Sequence, residues 1–388
     1  MSYLRQKNRK LGSDILSIEI QTLPTPSALL DLIFLPWPGY EHVFVTATST
    51  GTLTFYTLTA HAAPSLTYVH THQCTDPSIL LTDLEPHLSV PGVVGYVTSS
   101  GLASIIEFNL DTLATSSSSE TEANSWQDFV KCHHSFPCAD EGFEAWTLAF
   151  APATVSSPEG GQRKVGVYTG SDDSTLRRLD FVLDEAKAFS TQPLTSGNTE
   201  ESDNEDTNDD GTAELKILDR RSHNAGVVAI LPLVPPTSHD ESGEFILTGS
   251  YDDHIRLIYR PSTASMPQTR NQVLAETNLE GGVWRLRIIR HDRKARSWIV
   301  LASCMHAGSR VVRVVQSLDD GEWRIEVLVR FEEHKSMNYG SDVQPLLSSV
   351  AESGVDRKGD GDGGEREIRT VVSTSFYDRS MCLWRIHC

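Results

Sequence analysis

Cysteine is scarce: six in 388 residues. That is too sparse for a disulfide-stapled scaffold and predicts reduced thiols and cytoplasmic residence. Long apolar runs are missing too. No stretch approaches the roughly 18–20 apolar residues a membrane span needs. The opening MSYLRQKNRK is basic but has no apolar stretch behind it, so no secretory signal and no membrane association are expected. Cations are in deficit, with 33 Lys plus Arg against 52 Asp plus Glu and a net charge of −19. Nucleic acid is therefore excluded as an expected ligand, because phosphate binding is driven by cationic neutralisation. A basic protein or a cationic small group fits better. Part of the acidity is local, since Glu200 to Asp210 alone holds seven carboxylates. The common catalytic signatures are absent as well. There is no G-x-S-x-G, no H-E-x-x-H and no S-x-x-K with its companion motifs, so any reactive group must be assembled from distant segments.

What is present is a repeat. VYTGSDDSTLRRLD (Val167–Asp180), ILTGSYDDHIRLIYR (Ile246–Arg260) and VVSTSFYDRSMCLWR (Val371–Arg385) each read as an apolar strand, a tight Asp-containing turn and a second alternating strand. Asp173, Asp252 and Asp378 take equivalent places. This is the inner hairpin of a WD40-type blade, so the expected class is all-β, a single β-propeller domain over 1–388. Strand pairs punctuated by Gly, Pro, Ser and Asp give six blades. They begin near 27, 77, 142, 223, 281 and 334, and a degenerate seventh remains possible. The last blade lacks an outer strand at the C-terminus, and Asp14–Leu23 (DILSIEIQTL) is the candidate to close the ring. Three polar segments are expected as flexible insertions: 112–124, rich in Ser and Thr, the acidic 190–212, and the Gly/Asp-rich 354–366. The last has alternating Asp residues but not the Glu spacing of an EF-hand loop.

Eight strings in blade order are more specific than generic repeats: GFEAW (Gly142–Trp146), the TGSDD hairpin, HNAGV (His223–Val227), LTGSYDDHIRL (Leu247–Leu257), GGVWRL (Gly281–Leu286), SCMHAG (Ser303–Gly308), EEHKSMNYGSDV (Glu332–Val343) and SFYDRSMCLW (Ser375–Trp384). Together they resemble the diphthine methyltransferase family over about 142–388. The resemblance implies a hydrolase of diphthamide biosynthesis that removes the methyl ester from methylated diphthine on translation elongation factor two, releasing methanol. It implies a protein substrate; no cofactor, no metal and a monomer are expected. The chain departs from the repeat pattern at Leu179-Asp180 and Ile258-Tyr259, where Trp-Asp would be typical. A non-catalytic interaction scaffold and a reader of methylated ammonium groups are the competing functions, because fold alone does not separate them.

Ester hydrolysis needs a nucleophile or activated water, a base and an oxyanion stabiliser. His306 ends a strand and precedes the turn at Gly308, where an imidazole needs no core partner and can act as base. Cys304, two residues earlier, reads as either its nucleophilic partner or a buried apolar thiol. His334, Ser336 and Asp342 lie in an unusually polar entry to blade six and are the other catalytic candidates. His334 doubles as a structural blade histidine. His223 and Asp252 read as a blade-stabilising pair. The trimethylammonium implied by the resemblance calls for aromatic faces and carboxylates. Glu144, Trp146, Tyr251, Trp284, Tyr339 and Tyr377 are the candidates, with core packing as the alternative for both tryptophans. Gly281-Gly282 reads as a tight turn or as backbone amides open to an oxyanion. Cys132, His133, His134 and Cys138 cluster, but not at a standard zinc spacing.

Overall fold

The computed structural model describes residues 21–59, 64–115, 126, 128–152, 162–184, 214–234, 243–261, 270–345 and 368–387. The described residues divide into two compact units, one up to Arg221 and one from Ser222 onward.

In the first unit, β1 (Leu29–Phe34), β2 (Val43–Thr48), β3 (Thr52–Thr59) and β4 (Ser65–Gln73) form blade one. Blade two comprises β5 (Leu81–Pro86), β6 (Val93–Thr98), β7 (Leu102–Phe108) and β8 (Val130–Pro137). The single described helix, α1 (Leu110–Thr115), follows β7, and the Asn109 side chain accepts a hydrogen bond from the Thr112 amide at its start, 3.2 Å. Blade three comprises β9 (Ala145–Phe150), β10 (Gln162–Ser171), β11 (Leu176–Asp184) and β12 (Glu214–Asp219). All neighbouring strands are antiparallel and follow chain order. One apolar core lies between blades one and two, around Leu35, Val45, Phe55 and Phe108, and another between blades two and three, around Val97, Ile105, Leu148 and Val167. Carboxylates stitch the first strands together. Asp31 accepts from the Leu84 amide at 3.1 Å, and Asp83, 3% exposed, accepts from the Leu148 amide at 2.9 Å. A buried carboxylate is tolerated there because a backbone donor satisfies it.

The second unit repeats the plan. Blade four is β13 (Val227–Leu233), β14 (Gly243–Ser250), β15 (His254–Pro261) and β16 (Gln272–Asn278). Blade five is β17 (Arg285–Asp292), β18 (Ser297–Ser303), β19 (Ser309–Gln316) and β20 (Trp323–Phe331). Blade six is the three-stranded β21 (Gly340–Val343), β22 (Ile368–Ser375) and β23 (Ser380–His387). β14 and β18 are buried along nearly their whole length, so both their faces are covered, whereas β22 alternates buried with half-buried or exposed positions. Leu247, Val283, Trp298 and Val312 build the core of blades four and five, and Leu301, Val311, Val371 and Ile386 that of blades five and six.

The fold is a WD40-type β-propeller with six described blades, at the positions the repeat predicts. Ser174, Asp253 and Arg379 follow the three turn aspartates with φ of 62°, 66° and 48°, the left-handed step each hairpin needs to reverse. Of the predicted closing strand only Gln21–Leu23 is described. The Gln21 amide donates to Leu66 O (2.9 Å) and accepts from Leu66 N (2.7 Å). The insertions 190–212 and 354–366 lie outside the described residues. Of 112–124, residues 112–115 are helical rather than loop. No helix among the described residues is long and apolar enough to cross a membrane.

Candidate functional site

Two hairpin turns, of blades four and six, and the segments entering β17 and β21 bring the aromatic candidates together. Tyr251, in the β14–β15 turn, lies with its ring centroid 5.8 Å from that of Trp284. Trp284 meets Tyr339 edge-on at 5.0 Å, Tyr339 meets Phe376 at 5.8 Å, and Phe376 meets Tyr377 at 5.1 Å. Edge-to-face contacts of this kind hold rings in fixed mutual orientation. Phe376 and Tyr377 are 64% and 69% exposed, far more than a core role allows. Their turn (Phe376–Arg379) is one residue longer than its counterpart in blade four (Tyr251–Asp253), and this presents two adjacent aromatics. The Tyr339 hydroxyl is pushed up in pKa by burial and by Tyr377, so it stays protonated at neutral pH. Sequence reasoning missed Phe376, although it stands beside Tyr377 in the same string.

His306 sits on the adjoining turn of blade five. It is exposed, and no described residue bonds it. The turn is built tightly. Cys304 N donates to Gly308 O (2.7 Å), and Arg310, 1% exposed, donates to Ala307 O (2.6 Å), Glu280 (3.1 Å) and Glu332 (2.9 Å). Gly281 and Gly282 press against it. A Cβ on Gly281 would lie 2.3 Å from Cys304 O, and one on Gly282 2.6 Å from Met305 Sδ. The glycine pair therefore serves close approach of two chain segments. Neither glycine has a positive φ.

Blade six holds the remaining catalytic candidates. The His334 ring is engaged at both nitrogens, by Ser373 Oγ (2.9 Å) and Cys382 Sγ (3.9 Å), and Trp384 donates to the same Ser373 Oγ (3.1 Å). Burial lowers its pKa against the pull of Asp378. These contacts give His334 the blade-framing role. Ser336 Oγ donates to Asp378 (2.9 Å), meets Ser375 Oγ (2.7 Å) and accepts from the Tyr377 amide (3.0 Å), which fixes the turn under Phe376 and Tyr377. Asp342 is exposed on β21, and its carboxylate accepts from the Val343 amide. No contact brings it to the other three.

The first unit carries its own constellation. Trp146 Nε1 donates to Asp172 (2.8 Å), and the Asp172 amide donates to Glu144 O (3.0 Å). Burial, reinforced by the charge of Asp172, raises the pKa of Glu144; burial and the charge of Asp173 raise that of Asp172 against the Trp146 hydrogen bond. Glu144 and Trp146 are thus brought to one blade end, with Asp172 the partner that sequence reasoning passed over.

The buried-thiol reading of Cys304 holds, and the pairing of His223 with Asp252 is corrected. Cys304 is fully buried, and burial pushes its thiol up to about 12, so it offers no thiolate to His306. His223 does not pair with Asp252. It bonds Thr248 Oγ1 (2.8 Å), while Asp252 is ion-paired to Arg256 (2.8 Å) and accepts from the Asn224 amide. Burial opposes ionisation of Asp252, but the Arg256 hydrogen bond and charge together with the Asn224 and His254 amides outweigh it, holding the carboxyl at about 2. Arg177 pairs with Asp173 in the same way. Among the described residues no three His, Cys, Asp or Glu side chains converge as metal ligands. Of Cys132, His133, His134 and Cys138, His133 bonds Glu107 (2.8 Å) and Cys138 donates to Gly101 O. A cleft of about 260 Å³ lies elsewhere in the second unit. Its Ser297, Ile299 and His387 are at the strand ends opposite the aromatic turns, and its floor is apolar (Ile299, Val311, Val329, Ile386).

No family model matches the chain. Among known proteins it is 28% identical over 210 residues to the diphthine methyltransferase of Mus musculus, covering 54% of this chain and 32% of that protein. It is 28% identical over 207 residues to the Homo sapiens protein of the same name, covering 53% and 33%. For the Saccharomyces cerevisiae protein the figures are 29% over 175 residues, covering 42% and 38%. The matched stretch thus spans about a third of the length of these curated relatives. Among solved structures, Chaetomium thermophilum Sqt1, bound to the N-terminus of ribosomal protein L10, superposes with a TM-score of 0.50 at 13% identity, covering 92% of this chain and 70% of that one. At that identity the likeness establishes the fold alone.

Proposed function

We propose that the chain is a member of the diphthine methyltransferase family, to whose curated members it is 28–29% identical over part of its length. It acts in diphthamide biosynthesis as a carboxylic ester hydrolase. The substrate is the methylated diphthine ester on translation elongation factor two, and the products are diphthine and methanol. One observation carries this reading. Tyr251, Trp284, Tyr339, Phe376 and Tyr377 form a continuous aromatic surface alongside a turn that presents an unengaged imidazole, His306. The aromatic faces suit a trimethylammonium, whose charge is spread over methyl groups and is attracted to ring quadrupoles.

The chemistry follows from what is free to act. His306 takes a proton from water as the oxygen adds to the ester carbonyl carbon. The tetrahedral intermediate then expels the methoxy group, which receives that proton and leaves as methanol. The carboxylate product needs no redox partner. Water is preferred over an enzyme nucleophile because Cys304 is buried as thiol and Ser336 is committed to Asp378. Ser336 and His334 then act by holding the turns, and Glu144 with Trp146 is a second candidate contact for the substrate.

Methanol release from elongation factor carrying the methyl ester, together with loss of one methylene from the modified peptide's mass, tests the reading. Tight binding at unchanged mass would make the protein a reader or scaffold instead.

A further inference from the structure

We propose that Asn338 is a positioning residue: it straps the blade-five turn that carries His306 to the blade-six segment that carries Tyr339, and so sets the aromatic surface. The proposal takes its ligand class from the ester-hydrolase reading and its geometry from contacts independent of that reading.

An asparagine side chain has two donor hydrogens and one carbonyl oxygen with two lone pairs. In Asn338, which is fully buried, every one of these is used. Nδ2 donates to Gly340 O (3.0 Å) and to Thr374 O (2.8 Å). Oδ1 accepts from Ser309 Oγ and from Ser341 Oγ, both at 3.1 Å. The partners come from β19 of blade five and from β21, its entry, and β22 of blade six, so one amide ties two blades. A saturated polar group in a low-dielectric interior resists rearrangement, because every alternative leaves buried donors or acceptors unpaired.

The backbone of the same segment completes the strap. Asn338 N donates to Met305 O (2.9 Å), the two residues form an isolated antiparallel bridge, and Phe376 N donates to Met337 O (2.9 Å). Met305 has φ of 41°, in the left-handed region that non-glycine residues seldom adopt. The strap therefore fixes the residue before His306, and through Met337 it fixes the start of the Phe376–Arg379 turn. Tyr339, next in sequence, stands between Trp284 and Phe376 and touches both. No hydrophobic or acidic replacement reproduces the pattern, since leucine makes none of the four bonds and aspartate lacks both donors.

The test compares wild type, Asn338→Ala and a core control in the same blade, Val371→Ala, in the full chain. Two quantities are read: the Kd for tetramethylammonium by NMR titration, and amide hydrogen exchange over residues 303–310 and 334–345. Asn338→Ala is expected to raise Kd about 10-fold and to speed exchange in both segments. Val371→Ala is expected to lower Tm with neither change. Faster exchange with unchanged affinity, or no change in either, overturns the positioning role. If wild type binds no tetramethylammonium, the cationic-substrate reading fails. Exchange then decides the strap alone: faster in both segments upholds it, unchanged refutes it. Should Asn338→Ala not fold, Ser341→Ala, which removes one of the two donors to Oδ1, must give the same pattern at smaller amplitude. Wild-type values in that variant refute the proposal.

Discussion

Replacing Trp284 by leucine probes the aromatic surface at its centre. The indole touches Tyr251 at 5.8 Å and Tyr339 at 5.0 Å. Each aromatic pair contributes about 0.5–1.5 kcal/mol beyond area burial, so the substitution costs about 1–3 kcal/mol of stability. The effect on a cationic ligand is separate. A half-buried tryptophan face over a quaternary ammonium contributes about 1–2 kcal/mol, which is about 5–30-fold in affinity. The assay uses two synthetic methyl esters of the same shape, one ending in trimethylammonium and one in a neutral tert-butyl group. Wild type should favour the charged ester in kcat/KM by that factor, and Trp284→Leu should lose the preference while treating the neutral ester nearly as before. An equal loss for both esters would mean that Trp284 contributes shape only. An unchanged preference would refute the assignment of the cation to this surface.

Three further outcomes follow. His306→Ala should lower turnover by about 100-fold or more with an unaltered melting curve, because the side chain is exposed and bonds no described residue; wild-type turnover would remove it from the mechanism. Gly281→Ala forces a Cβ to within 2.3 Å of Cys304 O and should displace the His306 turn, costing about 1–3 kcal/mol in urea unfolding and a larger factor in turnover than in KM. Stability should also fall with acidity. Burial holds His70 at about 4 and lowers His72, His291 and His334 as well. These rings are neutral in the fold and protonate more readily when unfolded, so their contribution is present above about pH 6.5 and is lost as pH falls from there towards the folded values. Each contributes at most about 1.4 kcal/mol per pH unit. Glu144 and Asp172, raised by burial, act in the opposite sense. A urea midpoint at pH 5 equal to that at pH 7.5 would contradict the assignment.

The blades were legible because each hairpin carries a period-two pattern and an Asp turn, and both are local. Blade starts near 223, 281 and 334 precede β13, β17 and β21 by a few residues. The partners of the turn aspartates were less legible. Spacing suggested His223 for Asp252, yet Arg256 lies across the hairpin and a guanidinium outcompetes an imidazole for a half-buried carboxylate. Blade six has Cys382 where blades three and four have Arg177 and Arg256, so its Asp378 turns to Ser336 instead. Tyr251, Trp284, Tyr339 and Tyr377 were anticipated in one set with Glu144 and Trp146, and ring contacts join the first four while Glu144 and Trp146 belong to the first unit. Phe376 was missed because the extra turn residue that exposes it shows only when hairpin registers are compared. Asn338 was missed because a buried amide's importance lies in four partners spread from Ser309 to Thr374, which no local pattern reveals.

The most direct test is a crystal structure of the protein with a peptide bearing the diphthine product. The account predicts the trimethylammonium against the Trp284 and Tyr339 rings, with the carboxylate facing His306. Well-ordered product bound away from these three side chains would contradict it.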